Sequence, residues 1–113
     1  MGFLDENSEP ISNDIIESYG IPTMSYQKYQ KLASKYEEPP RAILNLNWKD
    51  GGTHWVGVKT SPEGTIHYYD PFGVSPPFSK NFNRVVVYNP IKDQEMNQSN
   101  CGWRSLFFVL NGK

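Results

Sequence analysis

The sequence predicts an α+β domain with helices first, an antiparallel meander in the middle and a buried helix last. Three observations predict it. Apolar residues recur at intervals of three and four from Tyr26 to Tyr36, alternation at period two runs from Ala42 to Tyr69 with two Gly-containing turns, and an unbroken apolar run follows Cys101.

Length and composition set the frame. At 113 residues, with 14% aromatic and 20% charged residues, the chain is expected to form a single domain spanning 1–113. Residues 1–20 hold five acids and no base, leaving eleven bases against seven acids in the remainder, with no run of Lys and Arg. A nucleic-acid surface is therefore not indicated. One cysteine and two histidines supply neither an internal disulfide nor a four-ligand zinc site, so no metal is expected and a reducing setting is the simpler reading. No stretch reaches the ~18 apolar residues of a membrane helix, and the N-terminus lacks a basic-then-apolar signal. A soluble, unsecreted protein without membrane contact is expected. Met1-Gly2 resembles a myristoylation start, but Glu6 stands where Ser or Thr belongs.

In chain order, residues 1–11 read as an acidic arm. Ser12 to Tyr19 predict a short helix capped by Ser12 or Asn13 and stopped by Gly20. Tyr26, Tyr29, Leu32, Ala33 and Tyr36 form the apolar face of a second helix, ended by Pro39-Pro40. Alternation then predicts strands over Ala42–Trp48 and Thr53–Lys59, joined by the KDGG turn, and Thr65–Tyr69 after the SPEG turn. Val74 to Asn83 is Pro-rich and loop-like, whereas Arg84–Tyr88 is β-branched enough for a central strand. A polar link, Asn89 to Asn100, leads to the last helix, which Ser99 or Asn100 would cap and Leu106, Phe107, Val109 and Leu110 would bury.

Cys101 would open that helix, where free N–H groups and the positive end of the helix dipole favour a thiolate. His54, Val56 and Val58 share one face of their strand and Trp55, Gly57 and Lys59 the other. An unbulged hairpin centred on Pro62 pairs residues whose numbers sum to 124, placing His54 opposite Asp70. An acid beside one imidazole nitrogen fixes the tautomer, so that the other nitrogen takes a proton from a thiol. Each residue alone has an ordinary structural explanation; the conjunction points to acyl transfer. Asp50, Glu63 and Asp93 are rival acids in turns or links, and His67 is a rival base on the opposite face from Tyr68. The backbone N–H of Cys101 supplies one oxyanion donor, and Gly102 leaves the approach open. Gln94 and Gln98 both precede Cys101 and either side-chain amide could supply the second donor.

The stretches GGTHWVGV, YYDPFGVSPP and DQEMNQSNCGWRSLFFVL, read in the order His, Asp, Gln, Cys-Gly, resemble the adenovirus-protease-type (adenain-like) cysteine peptidases of double-stranded DNA viruses, virophages and Polinton-like elements. These are relatives of the ubiquitin-like-protein proteases. The resemblance covers about Ala42 to Leu110. It implies a papain-like cysteine protease fold with permuted order, its nucleophile on a central helix packed against the sheet. Carried over residue by residue, it implies His54 as general base, Asp70 as orienting acid, Cys101 as nucleophile and Gln94 as oxyanion donor, the seven-residue step from Gln94 matching the family spacing. Trp55 would flank the imidazole and line the substrate channel beside Gly102.

The resemblance further implies an endopeptidase that cleaves viral capsid and core protein precursors after small residues, at Gly-rich sites, during virion maturation. Its place would be the host cytoplasm, in the virus factory, or the virion interior. No cofactor is expected: adenovirus relatives use a disulfide-linked peptide and DNA, but Cys101 is the lone thiol here and bonding a peptide would consume it. Two other functions fit the same residues: a protease acting on ubiquitin-like modifiers, and a non-catalytic peptide-binding or capsid-associated module.

Overall fold

The structure is a computed structural model that describes residues 13–47, 53–89 and 101–111. The expected arm at 1–11 lies outside them. The first helix, α1 (Asn13–Ser18), ends at Gly20, whose φ of 81° lets its N–H fold back onto the Glu17 carbonyl at 2.9 Å. Ile16 is its buried anchor. A strand absent from the sequence reading follows, β1 (Thr23–Ser25), and the chain turns directly into α2 (Tyr26–Ser34). Ser25 caps this helix, its Oγ accepting from the Lys28 N–H at 3.2 Å.

The α2 helix ends at Ser34, before Pro39-Pro40, and Tyr36 closes its exit. That residue takes the left-handed conformation, φ 58°, while Glu37 N–H bonds the Leu32 carbonyl and Tyr36 N–H the Ala33 carbonyl. This is the Schellman closure, with tyrosine where glycine is usual. Tyr36 is therefore 66% exposed instead of lying on the buried face, and its ring covers the Arg84 guanidinium at 4.1 Å. Arg84 itself is buried. Nη1 donates to the Ala33 carbonyl and to Glu38, and Nη2 to the Gly64 carbonyl, so one side chain joins the end of α2 to the next turns of the sheet.

Four more strands complete the sheet: β2 (Arg41–Asn47), β3 (Thr53–Thr60), β4 (Ile66–Tyr69) and β5 (Val86–Tyr88), in the order β1-β2-β3-β4-β5. The β2–β3 and β3–β4 pairs are antiparallel as expected, but β1 and β5 each pair in parallel, so the sheet is mixed and not antiparallel throughout. The KDGG turn and Trp48 lie outside the described residues. Arg84–Tyr88, expected as a central strand, supplies β5, which among the described residues pairs with β4 alone and leaves Val85 and Val87 exposed. Its β-branched residues suit a pleated surface whether or not a second neighbour covers it.

Each face of the sheet carries its own core. On one, Ala42, Leu44, Val56, Val58, Ile66 and Tyr68 pack on Tyr29 and Ala33 of α2, with Phe78 and Phe82 of the Pro-rich segment closing the edge. On the other, Ile43 meets Ile16, Ile21, and Leu106 and Val109 of α3 (Cys101–Leu110). Phe107, expected in the core, is 41% exposed; the buried face of α3 runs through Ser105, Leu106 and Val109.

Candidate active site

Residues at even positions of β3 point toward α2, so His54 shares the face of Val56 and Val58 and is buried at the strand's first turn of pleat. Asp70 follows the last residue of β4 and is 1% exposed. The register differs from the expected one. Gly57 pairs with Tyr69 and Val58 with Tyr68, so paired numbers sum to 126, and Asp70 stands two residues along from the position opposite His54.

The turn explains the shift. Ser61 and Thr65 close it (N···O 2.9 Å), Gly64 N–H bonds the Ser61 carbonyl, and Gly64 has φ 90°. The loop thus has three residues with a left-handed glycine last, and its centre is Glu63, not Pro62. A slip of two keeps the face unchanged. Contact survives as a diagonal pair, with His54 Nε2 2.7 Å from Asp70 Oδ1.

Asp70 is locked from several directions. Its Oδ1 also accepts the Phe72 N–H at 2.8 Å, and its carbonyl accepts the Gly73 N–H at 2.8 Å, the closed Asx turn that Asp-Pro-Phe-Gly encodes. Gly73 supplies the φ of 72° that the turn requires. The Phe72 ring then stacks on the imidazole, centroids 4.4 Å apart and planes 2° apart. A carboxylate that holds Nε2–H makes Nδ1 the basic nitrogen of the neutral ring. Nearby, burial and then the Asp70 charge push the Tyr68 phenol far above its ordinary range, so it stays protonated.

On the other face, α3 runs alongside β3 in the same direction. Ser105 Oγ donates to the Trp55 carbonyl at 3.0 Å, and Lys59 Nζ donates to the Asn111 carbonyl at 3.0 Å beyond the helix end. Lys59 also lies 4.3 Å from the centre of the Phe108 ring, a cation at the negative pole of the helix. Gly57 is the seat between these anchors. A Cβ there would lie 3.0 Å from the Ser105 backbone oxygen and 3.1 Å from Phe108 and Val109 side-chain carbons. Cys101, the first residue of α3, is one helical turn before Ser105. That turn rises about 6 Å, roughly two strand residues back from Trp55, which brings the N-terminus of α3 level with Thr53, the first residue of β3.

His54 and Asp70 are thus in contact, and Cys101 and Gly102 open α3, which packs on the other face of β3. The Cys101 side chain, Gln94 and Gln98 lie outside the described residues, as do the rival acids Asp50 and Asp93. Trp55 points to the face opposite His54 and packs, partly buried, with the cluster of Ile43 and Leu106. The ring that flanks the imidazole is Phe72, which the sequence reading left as part of a turn motif. His67 pairs with Lys59 on the α3 face, away from His54. Among the described residues, no group of three His, Cys, Asp or Glu could hold a metal, and no helix is long and apolar enough to cross a membrane.

No protein-family model matches the sequence, and no curated protein matches it. The fold, however, is similar to the crystal structure of the ASFV pS273R protease, with a TM-score of 0.55 over 92% of this chain at 19% identity. The chain spans 57% of the length of that protease.

Proposed function

We propose that this protein is a viral cysteine endopeptidase in which Cys101 attacks, His54 shuttles the proton and Asp70 orients His54. The observation that carries the reading is the buried 2.7 Å contact between His54 Nε2 and Asp70 Oδ1. The fold shared with a viral protease supports it.

In this reading the Cys101 thiol gives its proton to His54 Nδ1, and the thiolate adds to the peptide carbonyl carbon. The resulting oxyanion is held by the Cys101 N–H at the helix start and by the Gln94 amide. Collapse breaks the C–N bond as His54 returns the proton to the leaving amine. Water, deprotonated by His54, then hydrolyses the thioester and restores the thiol. Asp70, held by Phe72 N–H, keeps the imidazole in the required tautomer and balances its transient charge. Gly102 leaves the acyl group room at the helix start, and Trp55 lines the channel from the α3 side. The natural substrates are capsid and core precursors cut after small residues, in the virus factory or virion, without cofactor.

The test is cleavage of Gly-Gly-containing capsid-derived peptides followed by mass spectrometry, with iodoacetamide labelling of the thiol at neutral pH. Parent protein should yield products and label rapidly, and Cys101→Ala should do neither. An inert, slowly labelled Cys101 in the folded parent would sink the reading. Cleavage of modifier fusions in preference to capsid peptides would redirect it to ubiquitin-like modifiers, and peptide binding without product to a non-catalytic module.

A further inference from the structure

We propose that Asn89 is a positioning residue for the His54–Asp70 pair, its carboxamide standing in for the next rung of the β4–β5 ladder. The inference rests on the reading of His54 as base and Asp70 as its acid. The parallel pair runs from Ile66↔Val86 to Tyr68↔Tyr88, and it opens with Ile66 N–H bonding the Val85 carbonyl at 2.9 Å. In such a ladder the N–H and C=O of alternate residues reach across to the residues flanking their partner. Continued to Asp70, the same pattern would require a main-chain acceptor at position 89 and a main-chain donor at position 91.

Asp70 finds both in one side chain. Its N–H donates to Asn89 Oδ1 at 2.9 Å, and its carbonyl accepts from Asn89 Nδ2 at 2.8 Å. A primary amide offers one acceptor and one donor side by side, as a peptide group does, so Asp70 is held as though β4 went on past its last pair. The hold matters because of what Asp70 carries. Its Oδ1 lies 2.7 Å from His54 Nε2 inside a site where both residues are buried, and a carboxylate that turns away there finds no water to replace the bond. Phe72 and Gly73 fix the chain after Asp70, while Asn89 fixes Asp70 itself against the sheet. Other side-chain amides of the described chain serve elsewhere, Gln30 on Ser79 and Asn83 on the Ser34 carbonyl.

The test reads the ring nitrogens of His54 by 15N NMR in the full chain, beside kcat and KM on the peptide that the parent cleaves. The parent should show one tautomer with the proton on Nε2. Asn89→Ala should mix the tautomers and lower kcat about 10-fold or more, a fraction of the ~10²–10⁴ that a placed general base supplies, with KM within about twofold. Asn89→Asp, which keeps the size and the acceptor but sets an oxygen against the Asp70 carbonyl, should do the same and serves if the alanine variant does not fold. Asn83→Ala should match the parent in both readouts. A parent-like tautomer and kcat in both Asn89 variants would overturn the inference while leaving the peptidase reading intact. A parent without peptidase activity whose His54 tautomer still depends on Asn89 would overturn the peptidase reading and uphold the positioning role.

Discussion

The two faces of the sheet hold their functional parts by different physics. Toward α2, His54 and Asp70 are placed by directional bonds: a 2.7 Å contact, two N–H groups of the following turn and a stacked ring. Toward the other face, α3 is placed mostly by shape, with Leu106 and Val109 fully buried and Gly57 leaving room for the Ser105 backbone. Ser105 Oγ and Lys59 Nζ add polar anchors between helix and sheet. Directional bonds fix an angle, which an acid–base pair needs. Apolar packing fixes a distance, which sets how closely a helix seats on a sheet.

Breaking the first face should silence chemistry with the fold retained. In Asp70→Asn the size persists but the tautomer is no longer imposed, and we expect kcat to fall by about 10²–10⁴ while circular dichroism stays native. Breaking the second face should do the opposite, with stability lost first. Leu106→Ala removes a fully buried side chain from the α3 contact and should cost about 2–5 kcal/mol in urea unfolding. Gly57→Val tests the same contact from the sheet side. With the Ser105 oxygen only 3.0 Å from where a Cβ would stand, we expect about 1–3 kcal/mol of destabilisation and a lower kcat, because the helix must rise.

The smallest expected effect lies away from both sites and calibrates the comparison. Burial alone would raise the Glu38 carboxyl, but hydrogen bonds from Arg84, its own backbone and Thr60 hold it below the ordinary glutamate value. A carboxylate lowered in the folded state stabilises at pH above its unfolded value of roughly 4.3, and that stability is lost as pH falls through the lower folded value. Urea midpoints measured from pH 6 to pH 3 should therefore decline, with a shallower slope in Glu38→Gln. An unchanged slope would mean that the Arg84 pair contributes nothing that titrates.

Much of this architecture is legible in the sequence where the signal is local. Period-three and -four spacing announces α2, alternation announces β2 and β3, and the apolar run after Cys101 announces α3. The His54–Asp70 contact is legible too, because a register error of two residues leaves both side chains on one face. What fails is what depends on distant partners. The three residues of β1 have no period of their own and become a strand by pairing Thr23 with Ile43. Among the described residues β5 has β4 as its neighbour and stands at the end of the strand order, a position that composition does not record. Phe72 and Asn89 act on His54 and Asp70 through contacts that only the folded chain creates, the first by its ring and the second by its amide.

The separation of the two faces also orders assembly in time. The His54–Asp70 bond joins residues 16 apart, whereas the bonds that seat α3 on β3 join residues 50 and 52 apart. Longer loops cost more entropy to close and form later. We therefore expect amide exchange to protect the β3–β4 meander before α3, so that His54 and Asp70 meet before the helix that begins at Cys101 docks. In the proposed peptidase, a chain emerging from the ribosome, or one partly unfolded, would then carry the His54–Asp70 pair with Cys101 not yet docked.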